Sequence, residues 1–369
     1  MSILYRTLGG SKRLQEIVFS GSHDASITSG STYAQTQDLD IAEQAEAGVR
    51  LFDLRILARK FKDGGASLVG YHGSGGGKST SQFASSHTGK THDVKTNSKI
   101  TGEFGEKLSK MLKQAKEYVE RTDEFLIFKF DKCSNYDLVA EYCVKLLGTA
   151  IYKPIGIEFS KLSLDDLKKK VVCVFNNSAL AEIKNFGSKD GILGFKSLRG
   201  EKNSVGTYDP AYPGLQYYGK GGTKVYKIFS SNTDKMKENE STQKKMLMAM
   251  ARQQDDLAAN VLGMMYWTST GVITSIRSRN DLMWNTTGID RMAELWNQGL
   301  DSSISTQLQR DKIKVLEYGG IRRVKAYFPN IIMIDFADPR KCKTIYDLNL
   351  AVDRKLAEAY DKYTQANKG

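Results

Sequence analysis

The segment AGVRLFDLRI, residues 47–56, joins the end of a helical pattern to a strand pattern. Gly48 follows a run of helically spaced apolar residues, at the position where glycine commonly ends a helix. Beyond it the chain alternates as a strand does, with Asp53 and Arg55 on one face and Phe52 on the other. A helix that leads directly into such a strand is typical of α/β proteins. The polar pair lies toward the carboxyl end of the strand.

The same alternation of strand and helix patterns continues on both sides of this segment. Apolar runs of strand length occupy residues 17–19, 67–71, 125–130, 171–175, 261–267 and 330–336. Apolar residues at helical spacing occupy residues 39–45, 104–119, 136–147, 243–260 and 346–363. Strands that alternate with helices favour a parallel sheet, and polar residues at the strand ends favour a barrel with its site at the carboxyl face. We therefore predict an α/β fold, a distorted (β/α)8 TIM-type barrel with loop insertions; a doubly wound open sheet is the alternative.

The chain length is compatible with one large barrel domain. The sequence has 369 residues, and α/β barrels of about 250 residues or more form single units. We predict a single domain over residues 1–369 with two insertions. Residues 74–98 consist mostly of Ser, Gly, Thr, Lys and His, which is typical of a mobile surface loop. Residues 184–240 are rich in Gly, Lys and Tyr without a clear period and indicate a second, irregular insertion.

Composition excludes several classes of protein. Aromatic residues at 10% and hydrophobic residues at 40% exclude a mainly disordered chain. The four cysteines form no C-x-x-C pair, which indicates free buried thiols rather than a zinc site. No run approaches the ~20 apolar residues of a membrane span. Residues 1–10 lack the apolar core of a signal peptide, so we expect a soluble protein whose localisation, including export by an unconventional route, stays open.

The charge balance favours a polyanionic partner. Lys and Arg total 54 against 42 Asp and Glu, which gives a net charge of +12. The basic residues are dispersed and no nucleic-acid-binding motif accompanies them, so we expect peripheral contact with an anionic membrane surface and no nucleic acid. Residues 72–80, HGSGGGKST, approach a P-loop, but His72 stands where that motif requires glycine. We therefore expect no nucleotide.

Two of the four histidines follow predicted strands and suit acid–base chemistry. His23 comes after residues 17–19, and His72 comes after residues 67–71, with Asp53 and Arg55 between them in the sequence. Cleavage of a phosphodiester by a neighbouring hydroxyl needs a base, an acid and positive charge at the phosphorus centre. An imidazole can accept or donate a proton near neutral pH, and a guanidinium carries a permanent charge. Together these side chains predict a phosphodiesterase.

Three segments resemble the catalytic half of the X domain of phosphatidylinositol-specific phospholipases C. They are FSGSHDAS at 19–26, AGVRLFDLRI at 47–56 and YHG at 71–73. PNIIMIDFAD at 329–338 and MYWTSTGVITSIRSRNDLMW at 265–284 resemble later barrel segments of the bacterial members. The resemblance implies an enzyme that cleaves phosphatidylinositol, or a related inositol phospholipid, to diacylglycerol and inositol cyclic phosphate.

The resemblance also implies a role for each catalytic residue. His23 is similar to the general base that deprotonates the inositol 2-hydroxyl, and Asp335 to the carboxylate that orients and charges this base. His72 resembles the general acid that protonates the diacylglycerol leaving group, with Asp24 as its hydrogen-bond partner. The implied mechanism has two steps, with a cyclic phosphodiester as the first product.

The same resemblance bears on the need for a metal. Arg55 matches the guanidinium that replaces calcium in the bacterial enzymes, whereas the eukaryotic ones carry an acid there, and Asp53 is expected to anchor this network. If the enzyme depends on calcium, its ligands are Asp24, Asp53 and Asp131, because hard cations prefer several carboxylate oxygens. Arg55 in their midst argues against such a site, so we expect no cofactor, with calcium as the alternative.

Four further residues are expected to bind the substrate: Lys129, Asp131, Asn176 and Tyr218. Asp131 falls where bacterial relatives present a lysine, and Lys129 on the same strand face could supply that charge. Asn176 ends a strand where a bacterial relative offers an inositol-binding arginine, so the preferred head group stays open. Tyr218, together with its neighbour Tyr217, could stack on a sugar ring or touch lipid, with ordinary loop packing as the alternative.

Three other functions are alternatives. The first is a catalytically silent phosphoinositide-binding module at an anionic membrane, which would bind lipid without forming products. The second is a nucleic-acid-binding protein, which only the charge supports. The third is a related phosphodiesterase barrel that uses an acidic metal cluster, against which Arg55 argues.

Overall fold

The computed structural model describes residues 2–60, 66–74, 78–84, 91–97, 101–200, 204–221, 223–225, 238, 241–243, 261–271, 275–286 and 329–350. The strands in these ranges are β1 (Phe19–Ser22), β2 (Val49–Leu54), β3 (Ile56–Lys60), β4 (Ala66–Ser74), β5 (Lys78–Ala84), β6 (Thr91–Asn97), β7 (Thr101–Lys107), β8 (Phe125–Phe130), β9 (Lys170–Asn176), β10 (Ile192–Ser197), β11 (Leu215–Lys220), β12 (Thr223–Val225), β13 (Leu262–Trp267), β14 (Ser269–Gly271) and β15 (Ile331–Ile334). The helices are α1 (Ile41–Ala47), α2 (Leu108–Thr122), α3 (Tyr136–Leu147), α4 (Ile276–Thr286) and α5 (residues 339–350).

Eight parallel strands close into a barrel in the order β1, β2, β8, β9, β10, β11, β13, β15. The last strand pairs with the first, with Phe19 beside Ile331 and Ser22 beside Ile334. The predicted α/β barrel is therefore confirmed, and the doubly wound open sheet was wrong. The barrel is distorted, because among the described residues the connections from β9 to β10 and from β10 to β11 contain 3-10 turns or irregular chain instead of α-helices.

The core has two layers because side chains alternate across each strand. One set of strand residues fills the barrel interior, for example Leu51, Ile127 and Met264, which are all fully buried. The neighbouring residues, such as Phe52 and Phe128, pack outward against the helices. The interior face continues at the carboxyl ends of the strands into polar residues, and this is where the candidate site lies.

Helix α1 has a sequence-encoded start and end. The side chain of Asp40 accepts a hydrogen bond from Glu43 N, and Glu43 accepts one from Asp40 N, which forms a capping box. Gly48 ends the helix at a φ of +119°, a left-handed conformation that favours glycine. This short helix delivers the chain directly into β2.

The predicted insertion at 184–240 was wrong over part of its range, since two barrel strands lie within it. Strands β10 and β11 have the sequences ILGFKS and LQYYGK and pair in parallel with their neighbours. Their glycines, tyrosines and buried Gln216 differ from the Val- and Ile-rich pattern expected of a barrel strand. Short polar strands joined without helices give no periodic signal, so composition alone indicated loop.

The mobile loop predicted at 74–98 was also wrong in its conformation. Strands β5 and β6 lie there and pair antiparallel, and they join a five-stranded sheet in the order β5, β6, β3, β4, β7. Backbone hydrogen bonds hold such a hairpin and Thr-rich strands are compatible with a pleated sheet, so the polar composition did not exclude strands. Strands β5 and β6 nevertheless lie outside the eight-stranded barrel.

The small five-stranded sheet continues directly from barrel strand β2. Strand β3 follows β2 with only Arg55 between them, and β4 pairs antiparallel with β3. The sequence pattern had placed His72 after a barrel strand, but it lies within β4, a strand of the small sheet.

The described residues contain no helix with both the length and the apolarity needed to cross a membrane.

A buried arginine ties α1 and β2 to the neighbouring barrel strand. Arg50 Nε donates to Glu124 Oε2 over 3.0 Å, and its other nitrogens donate to the main-chain oxygens of Ile3, Ala45 and Val49. The guanidinium is fully buried and faces the ring of Tyr5 at 5.1 Å. Because both charges are out of water, each depends on the other.

We expect Arg50→Met to lower the free energy of unfolding by about 3–5 kcal/mol, because it leaves the Glu124 carboxylate buried without its partner. Urea denaturation followed by circular dichroism at pH 7 measures the change. Lys113→Met is the control, since Lys113 Nζ lies 3.8 Å from Glu117 on the exposed face of α2 and contributes little. Equal midpoints for the two variants would contradict the structural role of Arg50.

Candidate active site

The polar side chains converge at the carboxyl edge of the barrel. His23 directly follows β1, Asp335 directly follows β15, and Asp53 and Lys129 lie near the ends of β2 and β8. All four continue the strand faces that point into the barrel. Because parallel strands end at the same edge, residues far apart in sequence meet in one mouth.

His23 is oriented by a buried carboxylate. Its Nδ1 lies 3.0 Å from Asp335 Oδ1, and the Asp335 side chain is fully buried. A carboxylate accepts hydrogen bonds, so Nδ1 carries the proton and donates it to Asp335. The imidazole also meets the ring of Tyr266 edge to face, with 6.0 Å between ring centroids. Nε2 of His23 is thereby directed toward Asp24.

The Asp24 carboxylate joins the two histidines and the arginine. Nε2 of His23 and Nε2 of His72 each lie 3.4 Å from Asp24 Oδ2, and Nε of Arg55 lies 2.8 Å from Asp24 Oδ1. Neither oxygen accepts a well-aligned hydrogen bond within the described part of the chain, so these are contacts between charges. The structure thus brings together His23, His72, Arg55 and Asp24, which the sequence placed in one site.

The small sheet brings His72 and Arg55 over the barrel mouth. Tyr71 N donates to Arg55 O over 2.9 Å, which holds the start of β3 beside β4. The side chains of His72 and Arg55 are 18% and 20% exposed, whereas that of Asp24 is 1% exposed. A ligand can therefore reach the imidazole and the guanidinium, while the carboxylate lies behind them.

The surrounding charges and burial shift the pKa values of the two imidazoles in opposite directions. Burial opposes a charge on His23, but the carboxylates of Asp24 and Asp335 outweigh this effect and raise its pKa to about 9. Burial lowers the pKa of His72, and the positive charges of Arg55 and His23 oppose the effect of Asp24 there. Burial also opposes a charge on Asp24, yet the charges of His23 and Arg55, and that of His72 when it is protonated, lower the pKa of Asp24. At neutral pH the proton of this pair therefore resides on His23.

Asp53 and Lys129 form a second ion pair deeper in the mouth. Lys129 Nζ lies 2.9 Å from Asp53 Oδ1 and 4.4 Å from the centre of the Phe195 ring. Burial opposes the charge of Lys129, but Asp53 raises its pKa well above the ordinary value. Lys129 was expected to bind substrate; its ammonium is buried and engaged with Asp53.

Asp131 and Asn176 lie together at the rim of the mouth. Asn176 Nδ2 donates to Asp131 Oδ1 over 2.9 Å, and Asn176 Oδ1 accepts a hydrogen bond from Ser178 N. Asp131 Oδ2 lies 4.0 Å from Lys129 Nζ, and the Asp131 side chain is 27% exposed. Both residues thus lie near the site, where the sequence had placed them.

Tyr218 was wrong as a substrate-binding residue. Its side chain packs outside the barrel with Leu198 and Val261, and its neighbour Tyr217 faces the interior instead. Side chains alternate strictly along a strand, so an error of one residue moves the whole side chain to the other face. The equally interior Tyr266 is an aromatic residue that the sequence reasoning missed at this site. The choice between Tyr217 and Tyr218 depended on how LQYYGK pairs with its neighbours, which was unknown from sequence.

Comparisons with known proteins identify the fold. No protein-family model matches the sequence, and no curated protein matches it. A single-site variant of the phosphatidylinositol-specific phospholipase C from Staphylococcus aureus matches with 14% identity and a TM-score of 0.50, over 91% of this chain and 93% of that one. A double variant of the same enzyme matches with 15% identity and a TM-score of 0.50, over the same shares.

The chain has the fold of this phospholipase C. A calcium-dependent phosphoinositol-specific phospholipase C from a Gram-negative Pseudomonas species is also similar, with 13% identity and a TM-score of 0.38, over 73% of this chain and 94% of that one. At these identities the likeness concerns the phospholipase C fold alone, and the chemistry has to be argued from the residues.

The residues of this phospholipase C fold suit calcium poorly. One ligand atom from each of His23, Asp24 and Asp53 lies within 4.8 Å of the others, whereas Asp131, a predicted calcium ligand, is outside this group. Calcium prefers six to eight oxygen ligands. Here the carboxylate of Asp24 lies against Arg55, and that of Asp53 lies against Lys129, so fixed cations already neutralise the oxygens that an ion would need.

We expect Asp24→Asn to lower the pKa of His23 from about 9 toward its ordinary value. The carboxylate stabilises the charged imidazolium, so its removal lets the proton leave at lower pH. Titration of the histidine ring signals by NMR measures this, and the chain has only four histidines.

Asp131→Asn serves as the control, because its carboxylate contacts Asn176 instead of either imidazole. It should leave the His23 titration in place. A His23 pKa that stays near 9 in Asp24→Asn would show that Asp24 does not hold this proton.

Proposed function

We propose that this protein is a phosphodiesterase of the phospholipase C type, which cleaves phosphatidylinositol or a related inositol phospholipid to diacylglycerol and inositol cyclic phosphate. One observation carries the proposal: two imidazoles and one guanidinium converge on the Asp24 carboxylate at the mouth of a barrel with the phospholipase C fold. This set supplies a base, an acid and a positive charge within one pocket.

In the proposed first step, His23 takes the proton of the inositol 2-hydroxyl through Nε2. The 2-oxygen then forms a bond to phosphorus, and the bond from phosphorus to the glycerol oxygen breaks. His72 donates its proton to that oxygen, so diacylglycerol leaves as a neutral alcohol. Asp335 stabilises the imidazolium that forms on His23, since its Oδ1 already accepts from Nδ1. In a second step, water opens the cyclic phosphodiester with the two histidines in reversed roles.

Arg55 is proposed to stabilise the charge on the phosphoryl oxygens in the transition state. Its Nε contacts Asp24, and its side chain is 20% exposed toward the mouth. Burial opposes its charge, but Asp24 and Asp53 raise its pKa, so it stays cationic throughout the working pH range. A permanent guanidinium beside the two imidazoles supports chemistry without a metal ion.

The resting protonation is the reverse of the productive one. In the free protein the proton favours His23, with its pKa of about 9, whereas the proposed first step needs it on His72. An anionic phosphate beside His72 and Arg55 would draw the proton to His72. Because both forms carry one proton, kcat/KM is expected to be bell-shaped, with its alkaline limb near pH 9.

The membrane surface is the proposed place of action. Each Lys or Arg near an anionic leaflet contributes about 1 kcal/mol of attraction, and the chain has a net charge of +12.

A catalytically silent phosphoinositide-binding module is the second candidate function. The carboxylates of Asp24 and Asp335 on either side of His23 favour it, because they raise the pKa of His23 to about 9, and a protonated imidazole is a good anion ligand and not a base. The two functions differ in whether products form.

With phosphatidylinositol vesicles in the presence of a calcium chelator, we expect diacylglycerol and inositol cyclic phosphate to form. His23→Ala and His72→Ala should abolish turnover, because each removes one end of the proton transfer. Arg55→Ala should lower kcat by about 10²–10³, the effect of removing a donor to transition-state charge. Product release is measured by chromatography of the lipids and by phosphorus NMR of the head group.

Lys113→Ala, on the exposed face of α2, is the control and should cleave like the unchanged protein. Turnover that requires added calcium would refute the metal-free mechanism. Vesicle binding without product, with and without calcium, would identify the silent module.

The roles of the two histidines can be separated with an inositol phosphate ester of p-nitrophenol. This leaving group departs without a proton, so a general acid becomes dispensable while the base is still required. We expect His72→Ala to recover much of its activity on this ester and His23→Ala to stay inactive. Recovery by His23→Ala instead would mean that the two roles are exchanged.

A further inference from the structure

Two strained residues adjoin the catalytic histidine and its carboxylate partner. Asp24, which follows His23, has a φ of +43°, and Phe336, which follows Asp335, has a φ of +48°. Non-glycine residues in the left-handed region cost about 1 kcal/mol or more and persist only where the surroundings fix them. Something must therefore hold both turns.

The side-chain amide of Gln37 connects the two turns. Its Nε2 donates to His23 O over 2.9 Å and to Ile334 O over 3.3 Å, and its Oε1 accepts from Ala337 N over 2.9 Å. The residue is fully buried. One amide thus binds the main chain at His23 and the main chain on both sides of Asp335.

The neighbouring Thr36 acts on the strained residues themselves. Its main-chain oxygen accepts from Phe336 N over 2.7 Å, and its Oγ1 donates to Asp24 O over 2.9 Å. The main-chain N–H groups of Thr36 and Gln37 both donate to Ile27 O, which fixes this pair in its own loop. Residues 36–37 therefore form a rigid bridge between β1 and β15.

We infer that Gln37 is a positioning residue, whose buried amide sets the contact between His23 Nδ1 and Asp335 Oδ1. It reaches neither the Asp24 carboxylate nor the imidazole ring through any hydrogen bond in the described structure, so it acts through the main chain. The kinetic part of this inference rests on the proposed function, whereas the geometric part does not.

Gln44 is a second buried glutamine in the same region, and within the described residues its amide makes no hydrogen bond to the segment that carries Asp335. It is also fully buried, and its Nε2 donates to Ala25 O over 2.8 Å and to Leu39 O over 2.6 Å. These bonds tie the loop after β1 to the start of α1, and neither reaches the segment that carries Asp335. Gln44 is therefore a matched control for the loss of a buried amide.

The test compares Gln37→Met with Gln44→Met in the full chain. Methionine has nearly the same length and volume but makes none of the amide hydrogen bonds. Both variants should be less stable to heat. In Gln37→Met alone, the segment that carries Asp335 loses its side-chain link to the main chain of His23. We therefore expect the carboxylate to move off Nδ1 and the pKa of His23 to fall in the NMR titration.

On phosphatidylinositol vesicles, Gln37→Met should lose kcat by about 10- to 100-fold with KM little changed, because small misplacements of reacting groups have effects of this size. Gln44→Met should keep its kcat. Equal His23 titrations and equal kcat in the two variants would overturn the inference.

If Gln37→Met does not fold, Gln37→Asn replaces it, since that shorter amide buries no charge but cannot span the three main-chain partners. If the unchanged protein cleaves no lipid but the His23 titration still shifts in the Gln37 variant, the positioning role is supported and the proposed function is refuted. If the unchanged protein cleaves lipid but the His23 titration does not shift in the variant, the proposed function is supported and the positioning role is refuted.

Discussion

The site depends on one buried negative charge. The carboxylate of Asp24 is 1% exposed and lies within 3.4 Å of two imidazoles and 2.8 Å of a guanidinium nitrogen. A carboxylate out of water is unfavourable unless cations surround it. His23, Arg55 and His72 come from the end of β1, the β2–β3 junction and β4, so this one charge fastens the small sheet to the barrel mouth. The left-handed backbone at Asp24 is part of the same constraint.

The same charge distributes the proton between the imidazoles. His23 lies between Asp24 and Asp335, which raise its pKa, whereas at His72 burial and the positive charges of Arg55 and His23 outweigh the carboxylates and lower its pKa. Two chemically identical side chains thereby receive different properties from their surroundings. An anionic phosphate placed between His72 and Arg55 would alter this balance in favour of His72. On the proposed function, binding of a phosphodiester would therefore shift the proton from His23 to His72.

Much of the fold was readable from the sequence because its strands and helices alternate with clear periods. AGVRLFDLRI predicted a strand after a helix, and β2 occupies Val49–Leu54. Strands β10 and β11 were missed, because glycines, tyrosines and Gln216 take the place of branched apolar residues in them. The extent of β4 was also missed: His72 lies within a strand that pairs with β7, a contact that no local pattern encodes.

The sequence by itself indicated a set of side chains that suits phosphodiester chemistry, since two histidines, an arginine and several carboxylates lie at predicted strand ends. The structure shows that His23, His72, Arg55, Asp24 and Asp335 lie close together. Only the tertiary structure decided that Tyr217 and not Tyr218 faces the interior, because the register of a strand decides which face each of its side chains occupies. Only the tertiary structure could show the bridge made by Gln37, whose partners are main-chain atoms 14, 297 and 300 residues away. Main-chain partners are the same for every sequence, so such contacts leave no trace in residue types and exist only once the barrel has closed.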